Sequence, residues 1–282
     1  MKFNLKKPLI ILAVIAVCSF IIATIIIVNT GGLVNISTLN QEAVFKGAEV
    51  KRIDINTTAD INIFSSYDEH VKVSLSGRYN TSIEEDIPQL VAYVDNGVLI
   101  LGIKVKPSRR FFIGIREMTA ELNVYIPKNT IEKININSSI GDVSVNDVSV
   151  SQFDAKTLHG KIEINYLDSN KTNIESYYGN IIITDHRGDI KICCNMGNIS
   201  IDQMHLYGDV DVKNDRGEAS LRISQDSSCS IYASTESGKI FLSDLNIDIV
   251  NYDEKNLIGS IGMGSNRILI STSSGNIKVI GK

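Results

Sequence analysis

Histidine and cysteine, the residue types that most often bind metals or act as nucleophiles, are sparse in this chain and are not spaced for either role. The 282 residues include four histidines and four cysteines. The histidines form no H-x-x-x-H pair, and no Cys/His group has the spacing of a zinc site. Cys193 and Cys194 are adjacent, so on a strand they would point to opposite faces, and a disulfide between them would distort the backbone. The sequence therefore predicts no metal, no cofactor and buried, apolar thiols.

A single local cluster has a composition suited to binding. Residues 104–116 contain five basic residues around two adjacent aromatic ones, namely Lys104, Lys106, Arg109, Arg110, Phe111, Phe112 and Arg116. Pro107 and Ser108 indicate a turn between two strands. Apolar rings flanked by cations are typical of membrane surfaces and interaction sites. We therefore predict a contact loop for anionic lipid or wall polymer. The alternative is a hairpin with one Phe buried and its basic residues solvated.

The elements that must position these residues begin with an apolar segment. Residues 9–28 carry no charge, and at 1.5 Å per residue a helix of this length spans roughly the 30 Å of a bilayer core. Lys2, Lys6 and Lys7 precede it, so the positive-inside bias leaves the amino terminus in the cytoplasm. A cleaved signal peptide is the alternative, but its shorter apolar region should end in a small-x-small site, which residues 23–25 do not supply.

The sequence thus predicts a single-pass plasma-membrane protein with a cytoplasmic tail (1–8), a transmembrane α-helix (9–28), a polar stalk (29–48) and an extracytoplasmic domain (49–282). The whole chain has 28 basic and 32 acidic residues, a formal net charge of −4. Three of the lysines precede the apolar segment, which leaves 25 basic against 32 acidic residues beyond it, or −7. Because an anionic surface does not attract anionic polymers, we expect no nucleic-acid partner.

From Val50 onward, short runs of alternating apolar and polar residues indicate strands, and beyond Ile134 these strands become a repeat. The unit is a glycine, a polar residue, an apolar residue, any residue and a second apolar residue. It begins at Gly141, Gly160, Gly179, Gly197, Gly217, Gly238, Gly259 and Gly275, with half-period copies at Gly188 and Gly208.

This period predicts an all-β fold, a β-solenoid of roughly 20-residue coils. Each coil would turn at a glycine, and the residues two and four after the glycine would point inward as ladders of Ile and Val. No proline follows Pro127, which suits hydrogen bonding between stacked coils. A two-sheet sandwich would also produce short alternating strands with glycine turns, but with a less constant spacing.

The outward positions of the repeat offer little for catalysis. The residue directly after each glycine alternates in charge along the column and forms no carboxylate cluster. Asp189 and Asp209 would stack one coil apart, as would Lys191 and Asp211. Such pairs could act as acid and base, although a solvated strand face is their usual role. No calcium repeat, nucleophile elbow or phosphate loop is present, so the sequence predicts no catalytic residues and no enzyme activity.

The [ST]-x-x-G-[DNK]-[IV]-x-[IV] units, with residues 122–127 leading into the first of them, resemble the bacterial putative-adhesin family of LiaG-like envelope proteins. The resemblance covers roughly residues 50–282, and the single anchor before them fits it. Residues 57–63 resemble a further unit in which Ala59 stands where glycine is usual. The resemblance implies a β-solenoid of the cell envelope with an adhesion-related role, and it supplies no catalytic residues.

These features predict a non-enzymatic, membrane-anchored structural or interaction protein of the bacterial envelope, adhesin-like in character. Its expected partners are the membrane itself and wall polymer, anionic lipid or another envelope protein. The alternative is an accessory component of envelope-stress sensing that acts through a membrane partner, because residues 1–7 are too few to carry a signalling domain.

The predicted contact loop can be tested directly. Changing Lys106, Arg109 and Arg110 together to Ser should weaken salt-sensitive binding of the chain without residues 1–28 to anionic liposomes or purified wall, because exposed charges act within about 10 Å at 0.1 M salt. Thermal stability should not change. If the unchanged protein shows no salt-sensitive binding to either material, the prediction of a contact loop is wrong.

Overall fold

The computed structural model describes residues 6–29, 36–80, 87–105, 118–128 and 130–282. The chain divides into two compact units. The smaller unit contains residues 1–39, 77–88 and 105–119, and the larger contains 40–76, 89–104 and 120–282.

The described residues form one α-helix, one short 3-10 helix (Gly47–Glu49) and twenty strands. The helix is α1 (Lys6–Asn29), and the strands are β1 (Ile36–Lys46), β2 (Arg52–Thr57), β3 (Asp60–Ser66), β4 (His70–Asn80), β5 (Gln89–Asp95), β6 (Val98–Lys104), β7 (Met118–Pro127), β8 (Lys133–Ile140), β9 (Val143–His159), β10 (Ile162–Tyr178), β11 (Ile181–Met196), β12 (Ile199–Gln203), β13 (Val210–Arg216), β14 (Ala219–Ile223), β15 (Cys229–Ser237), β16 (Ile240–Ser243), β17 (Asp248–Tyr252), β18 (Asn256–Ile261), β19 (Asn266–Ser274) and β20 (Ile277–Gly281).

Helix α1, in the smaller unit, occupies the apolar segment from which the sequence predicts a membrane span. Its side chains Leu12, Ile15 and Phe20 are exposed. Within the described ranges, no helix meets the combined length and apolarity that a membrane crossing requires.

Strand β1 corrects the sequence prediction of a stalk over residues 29–48. It runs through Ile36–Lys46 and pairs with β4. Among its described side chains only Leu39 is buried, and the others alternate between exposed and half-buried. Because an exposed strand needs few apolar side chains, its residues show no clear period-2 pattern of hydrophobicity.

The larger unit is a stack of coils in which two strands meet at a glycine. We call this turn the glycine corner. In the first half of β10, Ile162 pairs in parallel with Val143 of β9 and with Ile181 of β11, each nineteen residues away. β9, β10 and β11 are long because each continues through a second corner to the end of its own coil, just before the next corner glycine. The prediction of an all-β solenoid with a period near twenty is confirmed.

Side chains two and four residues after the corner glycines fill the interior of the coils, as the sequence predicts. Ile162, Ile164, Ile181 and Ile183 are fully buried and lie on one another in register. Burial of one such side chain contributes on the order of 1.5–3 kcal/mol relative to exposure. A continuous apolar ladder therefore runs from coil to coil and holds the stack together.

The order of the coils in the stack differs from their order in the chain. β19 and β20 come last in sequence, yet they lie between β13 and β14 on one side and β15 and β16 on the other. In the same way, β2 and β3 lie between β6 and β7 on one side and β8 and β9 on the other. Ala59 takes the corner position next to Gly141, which assigns the residues around it to a regular coil.

Gly259 does not belong to the glycine corner, which corrects one unit of the predicted repeat. It lies in β18, and β18 runs antiparallel to both β15 and β17. A Cβ at Gly259 would meet the side chain of Ile247, whereas a Cβ at a corner glycine would meet the backbone of the adjacent corner residue. Parallel and antiparallel strands share the same alternation of faces, so the motif alone does not separate them.

A column of buried polar side chains lies inside the glycine corner, three residues before each glycine. Its members are Ser138, Thr157, Ser176, Cys194, Asn214, Thr272 and Thr235. Two of the hydroxyls in this column donate to the carbonyl oxygens of the corner: Ser176 Oγ to Gly179 at 3.3 Å, and Thr272 Oγ1 to Gly275 at 2.9 Å. This explains the Ser or Thr of the repeat, because a buried carbonyl without a partner is costly.

His186 is a buried polar residue at the second corner. Its Nε2 lies 2.9 Å from Thr172 Oγ1, and its backbone N–H donates to Gln203 Oε1 at 3.1 Å. Burial lowers the pKa of His186 to about 4, although the nearby Asp189 carboxylate opposes this shift. The imidazole is therefore neutral at pH 7 and serves the packing of the coils.

The corner geometry predicts that adding a side chain at Gly179 strongly destabilises the fold. Its φ is +150°, and a Cβ there would overlap the carbonyl oxygen of Gly160. Gly179→Val should lower the free energy of unfolding by at least ~2 kcal/mol in urea denaturation of the full chain. Ser200→Thr, on an exposed strand position one coil away, is the matched control and should change it little. Equal losses in the two variants would contradict the assigned corner.

The buried histidine predicts a pH dependence of stability. In the unfolded chain His186 has an ordinary pKa near 6.5, so below that pH the unfolded state binds a proton that the folded state does not. The neutral His186 therefore makes its full contribution to the free energy of unfolding above pH 6.5. This contribution decreases by ~3 kcal/mol as the pH falls from 6.5 towards 4. His186→Gln should reduce the loss measured by urea unfolding between pH 7 and pH 4.5, whereas His205→Gln, at an exposed position, should not. A loss that is the same in both variants would show that His186 is not its source.

Candidate functional site

The described part of the chain covers only one end of the predicted contact loop. Lys104 is the last residue of β6 and is exposed. Lys106, Arg109, Arg110, Phe111, Phe112 and Arg116 lie outside the described residues. The contact loop therefore stays a prediction.

The residues that directly follow the corner glycines cap the backbone of the next coil. Asp142 Oδ1 accepts the backbone N–H of Lys161 at 2.7 Å, and Asn180 Oδ1 accepts that of Asn198 at 2.9 Å. The Asn198 side chain does the same for Glu218 at 2.9 Å. The preference for Asp and Asn in the repeat thus has a structural reason, and this column is more than a solvated face.

Asp189 and Asp209 have the same capping role on the other side of the coils. Asp189 Oδ1 accepts the backbone N–H of Asp209 at 3.0 Å, and Asp209 Oδ1 accepts that of Arg267 at 2.8 Å. These hydrogen bonds give Asp189 and Asp209 a structural role, which we favour over the acid–base alternative for this pair. Lys191 and Asp211 are register neighbours on adjacent strands.

A groove runs along the stack on the outer side of the glycine corner, and we call it the axial groove. Its volume is about 930 Å³. Three consecutive residues from each of seven coils line it, with Asn256 beside the last coil: 137–139, 156–158, 175–177, 193–195, 213–215, 271–273 and 234–236. The groove crosses the strands, so the same positions of the repeat recur along its length.

The axial groove is lined mainly by residues that carry polar groups, and it is close to neutral. Lys156 Nζ and Glu175 Oε2 are 2.8 Å apart and neutralise one another. Lys213 and Asp215 project from β13 and form no ion pair among the described residues. Most of the other lining residues are Ser, Thr and Asn. These groups can both donate and accept hydrogen bonds with a neutral polar ligand.

Large side chains stand beside the groove at the position just before four successive corner glycines. Ile140, His159, Tyr178 and Met196 are neighbours in consecutive coils. The rings of His159 and Tyr178 are stacked, with centroids 4.9 Å apart and planes inclined by 7°. We call this row the corner ridge. Ile140, Tyr178 and Met196 are exposed large hydrophobic residues.

Tyr177 connects the corner ridge with the groove. It is 47% exposed and lines the groove together with Leu158 of the preceding coil. Its ring meets that of Tyr178 edge to face, with centroids 4.6 Å apart and planes inclined by 77°. Tyr177 lies two residues before its corner glycine, and the pattern of residues after each glycine does not indicate a role for it.

The cysteines divide between the groove and the core. Cys193 is half-buried and lines the groove, so the prediction of a buried thiol is wrong for this residue. Cys194 and Cys229 are buried as predicted, and burial raises the pKa of each thiol to about 11. Cys193 and Cys194 face opposite sides of β11, and all four cysteines are free.

A smaller cavity of about 170 Å³ lies at the second corner. There the guanidinium of Arg187 lies over the rings of Tyr207, at 4.7 Å, and Tyr166, at 5.8 Å. Across the described ranges, no three His, Cys, Asp or Glu side chains are grouped closely enough to hold a metal ion. The axial groove, at about 930 Å³, is much larger than this cavity.

Comparison with known proteins places this architecture in a family. No curated protein matches the chain. Among solved structures, the chain is similar to a putative cell adhesion protein from Clostridium sporogenes ATCC 15579, at 14% identity and a TM-score of 0.38, over 87% of this chain and 100% of that one. It is also similar to a putative adhesin from Bacteroides fragilis NCTC 9343, at 13% identity and a TM-score of 0.41, over 87% of this chain and 97% of that one. Residues 50–280, which contain all the coils, match the Toastrack DUF4097 family, and the chain therefore belongs to that family.

Proposed function

We propose that this protein is a non-enzymatic, adhesin-like interaction protein of the bacterial cell envelope, related to the LiaG-like proteins, and that it binds an extended partner along the axial groove. The observation that carries this proposal is the groove itself, continuous over seven coils and bordered by exposed apolar side chains. A groove of this length suits a linear partner better than a small molecule.

The corner ridge supports a role in binding. Soluble proteins rarely expose contiguous apolar surface without an interaction to cover it. Tyr178 and Met196 are neighbours along the ridge, Ile140 lies beyond His159, and Leu158 and Tyr177 lie next to them in the chain. None of these side chains is needed in the core, because the column three residues before each glycine already closes the corner.

The electrostatics of the outer face support a non-enzymatic role. Burial opposes the ionisation of Asp154, but hydrogen bonds from Asn173, at 2.6 Å, and from Lys133 outweigh it and lower the pKa of this carboxyl. Asp154 is thus held ionised and fully engaged. It is a poor proton donor at neutral pH, since a general acid needs a raised pKa.

The proposal includes a membrane anchor. Residues 9–28 are uncharged and follow three lysines, and Leu12, Ile15 and Phe20 of α1 are exposed. The anchor would leave the amino terminus in the cytoplasm and the coils outside the plasma membrane. The predicted contact loop that begins at Lys104 would add a second contact with anionic lipid or wall polymer.

The groove can be blocked without disturbing the core. Asn195→Arg combined with Ser273→Arg adds two long side chains at half-exposed groove positions. We expect this variant to lose most of its capture of purified cell wall or crosslinked membranes, because the added side chains fill the groove. The matched control, Ser200→Arg with Ser243→Arg, adds the same charge at exposed positions outside the groove and should retain capture.

Equal capture by both double variants would contradict a role of the groove. Groove-dependent capture of wall material supports the adhesin-like function. Groove-dependent capture of a membrane protein alone would instead favour the accessory role in envelope-stress sensing.

A further inference from the structure

We propose that the axial groove binds a neutral, unbranched glycan, with one sugar ring for each coil and Tyr177 as a platform for one of the rings. This inference rests on the proposed function and adds the chemical class of the partner. Three features of the groove lead to it: the spacing of its side chains, the exposure of the Tyr177 ring and the balance of its charges.

The spacing of the groove matches a sugar chain. Equivalent side chains recur once per coil, at the interstrand distance of about 4.8 Å, and the His159 and Tyr178 rings in adjacent coils are 4.9 Å apart. A pyranose unit in an extended glycan advances by a similar distance. An extended peptide advances by only ~3.4 Å per residue, so its side chains would move out of phase with the coils.

The ring of Tyr177 is available to a ligand in the groove. It is 47% exposed and lines the groove together with Leu158 of the preceding coil. Its edge-to-face contact with Tyr178, with centroids 4.6 Å apart, holds the ring beside the corner ridge. The C–H face of a sugar ring can pack on an exposed aromatic ring of this kind.

The polar groups of the groove suit hydroxyl and amide ligands. Lys156 and Glu175 form an ion pair, and the remaining charged side chains of the groove, Lys213, Asp215 and Glu236, leave a small negative balance. Lys213 is the one cation without an ion pair among the described lining residues, so the groove offers little attraction to a polymer of phosphate groups. The Ser, Thr and Asn side chains that line the rest of the groove can donate hydrogen bonds to sugar hydroxyl and amide groups and accept hydrogen bonds from them.

The probe is a series of β-1,4-linked N-acetylglucosamine oligomers of increasing length, titrated into the full chain in a detergent without a sugar headgroup. We expect the affinity to rise with length and to level off when the oligomer fills the seven coils. Binding should change little between roughly 0.05 M and 0.5 M salt, because the ligand is neutral. Tyr177→Ala should lower the affinity for the longest oligomer about tenfold. Tyr93→Ala, at an exposed position of β5, should leave this affinity unchanged.

The outcomes separate this inference from the proposed function. If capture of envelope material depends on the groove but no oligomer binds, the proposal that the ligand is a glycan is wrong, and the proposed interaction role remains. Stronger binding of a phosphate polymer or of an extended peptide, or an unchanged affinity in Tyr177→Ala, would also overturn it. Capture that does not depend on the groove would overturn both proposals.

Discussion

The close approach of successive coils at the glycine corner is the constraint on which the larger unit depends. At Gly179 the backbone lies against the carbonyl of Gly160 with no space for a Cβ, and its φ of +150° is accessible to glycine. Stacking at this distance brings the polar column inside the corner into contact with the corner carbonyls. It also brings each capping Asp or Asn within reach of the next coil. The axial groove is the outer surface of this same corner, so its regular spacing follows from the glycine positions.

Local patterns in the sequence were enough to predict the period, the inward positions and the all-β fold. Each of these depends on residues within one coil, and the glycine with its two following apolar positions defines that coil. The order of the coils could not be predicted in this way, because the units at Gly238 and Gly275 are nearly alike and neither specifies its neighbour. The same reason explains the error at Gly259, whose strand alternates as a parallel strand would but pairs antiparallel with β15.

The candidate site was harder to predict than the fold, because a groove forms only between residues of different coils. Leu158 and Tyr177 are nineteen residues apart in the chain, and nothing in either local sequence shows that they line one surface. A periodic signal was nevertheless present in the positions two and four before each glycine. Their residue types vary from coil to coil, whereas the position three before is almost always small and polar. That contrast between a constant inner position and variable outer positions marks the side of the stack that is free to bind.

The placement of β19 and β20 between earlier coils has a consequence for how the molecule is made. Residues 229–261 are synthesised before residues 266–281, but the strand on which β15 stacks in parallel, β19, belongs to the later segment. Coil-by-coil assembly in the direction of synthesis can therefore proceed only as far as β13 and β14. The edges of those strands and of β15 have unpaired backbone groups until the later segment is synthesised. An unpaired strand edge can pair with a neighbouring chain. The parallel contacts of β13 and of β15 with β19 therefore form only after residues 266–274 have been synthesised.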